Sequence, residues 1–174
     1  MKRINFINIF IIFILSIIFH FLYKIIPNYL FSILFPVNES VWEHMKLVVT
    51  STLVFSMFEY YIYRRKGIYF NNFLLGNIVS TIFGVIIYLI IYIPLDSIFG
   101  YSPFIAITLL FIIFILIEFI RNYIFNLNKI KYGNILGIIL IILVYLLFWY
   151  FTYYPLKFNL FYDNLNMGYG IIQK

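Results

Sequence analysis

Five long apolar runs, separated by short polar breaks, organise this chain of 174 residues. They extend from Ile4 to Tyr23, Val41 to Tyr63, Asn72 to Ile93, Pro103 to Ile120 and Asn134 to Tyr154. A helix needs about 20 mostly apolar residues to cross a bilayer. The runs are continuous rather than alternating, so helices and not barrel strands would satisfy the backbone in lipid. The pattern therefore predicts an all-α, polytopic integral membrane protein with about five transmembrane helices. The second run differs from the rest because it is entered through a polar segment. The stretch from Pro27 to Pro36 is apolar but too short to cross; it would lie along the interface or dip in as a short re-entrant piece.

Composition agrees with the pattern. The chain is 65% hydrophobic and 10% charged, with a mean hydropathy of +1.04. Soluble domains are roughly half apolar and about a quarter charged. No separate soluble domain fits between the runs, so residues 1–174 read as one transmembrane helical domain. Residues 155–174 form a tail that is either a flap over the bundle or a loose end.

Net charge is +6, but the basic residues sit at the ends of apolar runs. Topology explains them better than nucleic acid does, and no nucleic-acid partner is expected. Lys2, Arg3, Arg64, Arg65, Lys66, Arg121, Lys129 and Lys131 fall on one side. Lys24, Lys46, Lys157 and Lys174 fall on the other. This bias predicts the N-terminus inside and the C-terminus outside. Lys2 and Arg3 followed by an apolar run resemble a signal peptide, but the run is long and lacks a small-residue cleavage site, so it reads as a retained first span. There is no cysteine, which removes thiolate catalysis and Cys-ligated metals.

Small residues mark close helix approach. Gly76, Ser80 and Gly84 are spaced by four, as are Gly133 and Gly137. Such stripes serve packing within the chain or a homo-oligomer interface.

The densest polar chemistry lies in Asn38-Glu39-Ser40-Val41-Trp42-Glu43-His44-Met45-Lys46. Charge beside lipid is costly and marks either a site or a structural clamp. At 100° per residue, Glu39, Glu43 and Lys46 share one helical face with Trp42 beside them, while Ser40 and His44 share another. Ser40 to Glu43 also matches a capping box. His44 remains unexplained by that structural reading, and an imidazole suits proton transfer or metal ligation. Other polar groups that can converge on it are His20, Asp96 and Asp163. The segment has no recognised metal spacing, so neither a metal nor a cofactor is predicted; His20, His44 and Glu43 are the weak candidates for ligands. Glu118 and Arg121 are spaced to pair, and Glu59 is near enough to pair with the Arg64-Arg65-Lys66 cluster, which also suits anionic lipid headgroups.

Pro36-Val37-Asn38-Glu39-Ser40-Val41-Trp42-Glu43-His44-Met45-Lys46-Leu47 resembles the signature of a family of small bacterial membrane proteins, domain of unknown function 6512. The tail, with Pro155, Leu160-Phe161, Asp163 and Tyr169-Gly170-Ile171, is similar too, although Leu156 and Asn164 stand where prolines are expected. The resemblance implies a multi-pass protein of the bacterial cell membrane and brings no activity with it. It makes Glu39, Trp42, Glu43, His44, Lys46 and Asp163 the candidate ligand-binding residues. The expected activity is binding or moving a small molecule, ion or lipid through an outward-facing polar site. A membrane-embedded enzyme acting on lipid or polyprenyl substrate, with Glu43 or His44 as acid or base, is one alternative. A scaffold or accessory subunit is another. Membrane lipid is the expected partner in each case.

Overall fold

The computed structural model describes residues 6–172, which form six α-helices and a small C-terminal hairpin. In chain order the helices are α1 (Phe6–Ile25), α2 (Tyr29–Leu34), α3 (Val41–Arg65), α4 (Phe73–Phe99), α5 (Pro103–Asn126) and α6 (Gly133–Tyr153). A 3₁₀ turn (Asn159–Phe161) leads into β1 (Tyr162–Asp163), which pairs antiparallel with β2 (Gly168–Tyr169).

Four helices, α1, α4, α5 and α6, are long and apolar enough to cross a membrane. Their outward faces are apolar, aliphatic and aromatic together. On α6, Ile135, Ile138, Ile142 and Leu146 are each about half exposed or more. An apolar belt of that extent is far beyond what a water-facing monomer presents. Helix α3 has the length to cross but not the composition, because it inverts the usual arrangement. Its buried face carries Glu43, Lys46, Thr50, Ser51, Thr52, Ser56 and Glu59. The four apolar helices thus supply most of the lipid-facing surface, and α3 supplies much of the polar interior.

Side-chain contacts fix the helix directions. His20 near the end of α1 lies beside His44 at the start of α3, while Asn8 near the start of α1 bonds Glu59 near the end of α3. These two helices are antiparallel. Helices α4 and α5 are antiparallel too, since Gly76 faces Phe125 and Gly84 faces Ile117. Helices α4 and α6 are parallel and start together at Asn72 and Gly133.

Both small-residue stripes are used inside the chain. A Cβ on Gly84 would lie 2.6 Å from Ile117 side-chain atoms of α5, and one on Gly137 would lie 2.6 Å from the Leu75 backbone nitrogen of α4. Helix backbones approach most closely at the second site, where only glycine leaves room. Asn72 (φ 52°) locks the same corner: its Oδ1 accepts from Ile130 N–H, and its Nδ2 donates to Asn128 O.

Among the described residues, the buried charges lie at two ends of the bundle. At one, Arg121 is buried with Glu59 and Glu118. Its Nη1 lies 2.9 Å from Glu59 Oε2, its Nη2 pairs with Glu118 Oε2, and Nη1 also donates to Asn77 Oδ1. Asn8 donates to both acids. The Glu118–Arg121 pairing follows the helical spacing. Arg121, counted in the sequence among the basic residues at run ends, is the centre of an interior ion cluster, because its helix runs on to Asn126. Glu59 faces that arginine rather than the basic cluster after it; Arg64 instead lies over the rings of Tyr60 and Tyr69.

Candidate functional site

The other end of the bundle holds the motif, and there the chain splits it into two constellations. Glu39 precedes α3, whose N-cap is Ser40 in extended conformation. Glu39 therefore does not share a face with Glu43 and Lys46, as an uninterrupted helix would require. It turns towards α1, while Glu43 and Lys46 turn into the bundle.

The inward constellation is closed. Lys46 Nζ donates to Glu43 Oε2 (2.5 Å), Thr152 Oγ1 (2.6 Å) and the Ser32 carbonyl (2.7 Å). An ammonium has three donors, so its capacity is used up. Glu43 Oε1 accepts from Thr152 Oγ1 and Oε2 accepts from Val37 N–H. Ser40 Oγ accepts from Glu43 N–H at 3.4 Å, the first half of a capping box, but Glu43 reaches back to Val37 instead of Ser40. Ser40 N–H is met by Asn38 Oδ1. The group ties α2, α3 and α6 together and leaves neither charge accessible, with Lys46 fully buried and Glu43 nearly so. Its geometry is that of a clamp.

Trp42 belongs to the clamp's roof. Its indole packs against Phe148, Phe151 and Phe161, with ring centroids 5.1–5.6 Å apart. Phe161 comes from the tail, which returns over the motif. Asp163 Oδ2 accepts from the Glu39 backbone N–H, and Asn38 Nδ2 donates to the Gly170 carbonyl. Asp163 also accepts from Leu165 N–H, Asn166 N–H and Asn166 Nδ2. Burial raises its pKa, but these hydrogen bonds outweigh burial and hold the carboxyl below the usual range. Asp163 is thus fully engaged in folding the tail onto residue 39.

The outward constellation is open. Glu39 Oε2 lies 3.4 Å from His44 Nε2, and Oε1 lies 3.5 Å from His20 Nε2 and 2.5 Å from Lys24 Nζ. The His44 hydrogen bond, opposed by burial and assisted by Lys24, pulls the Glu39 carboxyl down to about 2. It is ionised throughout the physiological range. The two imidazoles sit 5.2 Å apart between ring centroids. His44 Nδ1 is 2.8 Å from the Ser40 carbonyl, which fixes Nδ1 as the protonated nitrogen and aims Nε2 at Glu39.

Two cavities of about 240 Å³ each meet at this group and share Glu39, His44, Tyr88, Tyr101 and Ala106. One runs between α1 and α5 past Phe13, Ile17, Phe21, Ile107 and Leu110 and is almost wholly apolar. Ile17, Phe21 and Ile107 are also exposed on the belt, so this cavity is continuous with the lipid-facing surface. The other lies under the tail and is more polar, reaching Asp96, Asn159 and Asn164. Burial, followed by the nearby charges of Glu39, Asp163 and Asp96, raises the Tyr101 pKa and keeps that phenol a hydrogen-bond donor.

Among the described residues, His20, Glu39 and His44 come together, whereas Glu43 is committed to Lys46 and Asp163 to the tail. Asp96 lines the polar cavity and accepts from Tyr92 at 3.4 Å. Thr152, Tyr88 and Ala106 sit within apolar stretches, and Tyr101 sits in the short break before α5, so none is marked as a site residue in the sequence. The one available signal is Thr152, a hydroxyl isolated between aromatic residues.

A family comparison covers residues 1–171. The chain belongs to the family of unknown function DUF6512. No curated protein and no solved structure matches it. Membership therefore adds no activity, and in this DUF6512 chain the functional reading rests on the paired cavities and the three side chains between them.

Proposed function

We propose that this protein binds an amphiphilic molecule of the lipid or polyprenyl class. The apolar chain would enter the α1–α5 cavity from the bilayer, and the polar head would lie beneath the tail, beside Glu39, His44, Tyr88 and Tyr101. The observation that carries this reading is the junction itself: one apolar cavity open to the lipid belt and one polar cavity meet at Glu39 and His44. A cavity of about 150 Å³ holds a benzene ring, so 240 Å³ accepts a segment of chain while the remainder stays in lipid. Of the expected lining residues Glu39, Glu43, His44 and Lys46, this reading keeps Glu39 and His44 and adds His20, while Glu43 and Lys46 stay in the buried clamp.

In the same proposal α3 is the fifth crossing helix, with the N-terminus inside the bacterial cell membrane that the motif implies. The cavities then face the outer side. Since the small-residue stripes are occupied by α5 and α4, a homo-oligomer would use other faces. A catalytic reading remains attached to the same group, because imidazoles oriented by an ionised carboxylate suit proton transfer.

Filling the cavity tests the proposal. Ala106→Trp, at the junction, should keep the wild-type melting temperature within a few degrees yet remove an amphiphile adduct seen by native mass spectrometry from mild detergent. Retention of the same adduct by folded Ala106→Trp protein would place the ligand elsewhere.

A further inference from the structure

The His20–Glu39–His44 group has the donor set and spacing of a transition-metal site. One ligand atom from each residue lies within 4.8 Å of the others. The two printed ligand–ligand separations, 3.4 Å from His44 Nε2 to Glu39 Oε2 and 3.5 Å from His20 Nε2 to Glu39 Oε1, are long for direct hydrogen bonds. Each is close to the edge of a tetrahedron built on metal–ligand bonds of about 2.0–2.1 Å, about 3.4 Å; the two end on different carboxylate oxygens, so a single ion would take one Glu39 oxygen and draw the other imidazole towards it. His44 has the outer contact that ligating histidines use: Nδ1–H donates to the Ser40 carbonyl, leaving the Nε2 lone pair towards the carboxylate. A metal ion would replace the hydrogen bond that His44 otherwise gives Glu39.

We infer that His20, Glu39 and His44 bind a divalent first-row transition ion, with its remaining coordination position turned towards the two cavities. Two imidazoles and one carboxylate serve zinc and iron(II) alike, and both commonly keep an open position in such sites. The sites lie where the polar head of an amphiphile would sit, so the inference deepens the binding proposal: a ligand with an oxygen-rich head, such as a phosphate or carboxylate, could complete the coordination. Lys24 is the local competitor, since its ammonium occupies Glu39 Oε1. It is half exposed and has room to swing into solvent, leaving that oxygen to the metal. The other acids nearby are not in the group: Glu43 holds Lys46, Asp163 holds the tail, and Asp96 accepts from Tyr92.

The test uses the intact chain in mild detergent, stripped with chelator and titrated with zinc against a chromophoric competitor. Cobalt(II) absorption serves as a second readout of coordination geometry. The expected result is one zinc per chain, with affinity falling at least tenfold in His44→Ala, His20→Ala and Glu39→Gln proteins that keep the wild-type melting temperature. Lys24→Gln should bind zinc more tightly. No stoichiometric zinc in the wild type, or equal affinity in folded His44→Ala, overturns the metal inference. An amphiphile adduct that persists in chelator-treated protein unable to bind zinc would sink the metal and leave the binding proposal standing; zinc binding without any adduct would do the reverse.

Discussion

Lys46→Met is expected to cost about 3–5 kcal/mol and to abolish most folded protein, because it strands the Glu43 carboxylate inside the bundle. Lys46 is completely buried and gives all three N–H groups to Glu43, Thr152 and Ser32. Removing it leaves Glu43 with only neutral partners, Thr152 and the Val37 N–H. Breaking a buried pair from one side is far worse than replacing both members. The double variant Glu43→Gln/Lys46→Met should therefore recover much of the loss. Tryptophan fluorescence during thermal unfolding is a suitable measurement, since Trp42 packs within the same roof. A wild-type melting temperature for Lys46→Met alone would show that the clamp does not hold the three helices.

Arg121→Met is expected to be at least as damaging, by about 3–5 kcal/mol or more, since it leaves two acids facing each other. Glu59 and Glu118 both pair with this guanidinium, and Asn77 takes a further N–H. Arg121→Lys separates the competing explanations. An arginine kept only for topology would tolerate lysine, because both carry the same charge. An arginine that bridges two carboxylates from different helices would not, because an ammonium lacks the planar fork. Loss of monodisperse protein in Arg121→Lys, measured by size-exclusion chromatography in detergent, is the expected result. A well-folded lysine variant would return Arg121 to a topological role.

The sequence discloses the apolar helices clearly, because lipid imposes length and hydropathy together on α1, α4, α5 and α6. It also discloses the start of α3 through Ser40. What it conceals has a common cause. A helical-wheel argument presumes that Glu39 is already in the helix, whereas the extended cap at Ser40 sends the preceding side chain towards α1. Three residues then separate a partly accessible acid, Glu39, from a sealed one, Glu43. Partners distant in sequence are equally hidden. Thr152 completes the clamp from 106 residues beyond Lys46, and Glu59 meets Arg121 across 62 residues. Counting basic residues at run ends does not show that Arg121 is buried, because the α5 helix outlasts its apolar run.

In the proposed arrangement one motif holds a clamp and a site, built on different glutamates. Parallel native mass spectrometry and thermal unfolding of Glu39→Gln and Glu43→Gln test it most directly. Glu39→Gln should keep the wild-type melting temperature and lose the bound amphiphile or metal, while Glu43→Gln should lose stability. Full retention of ligand by Glu39→Gln, with its loss in a stably folded Glu43→Gln, would contradict the division and return the site to the interior.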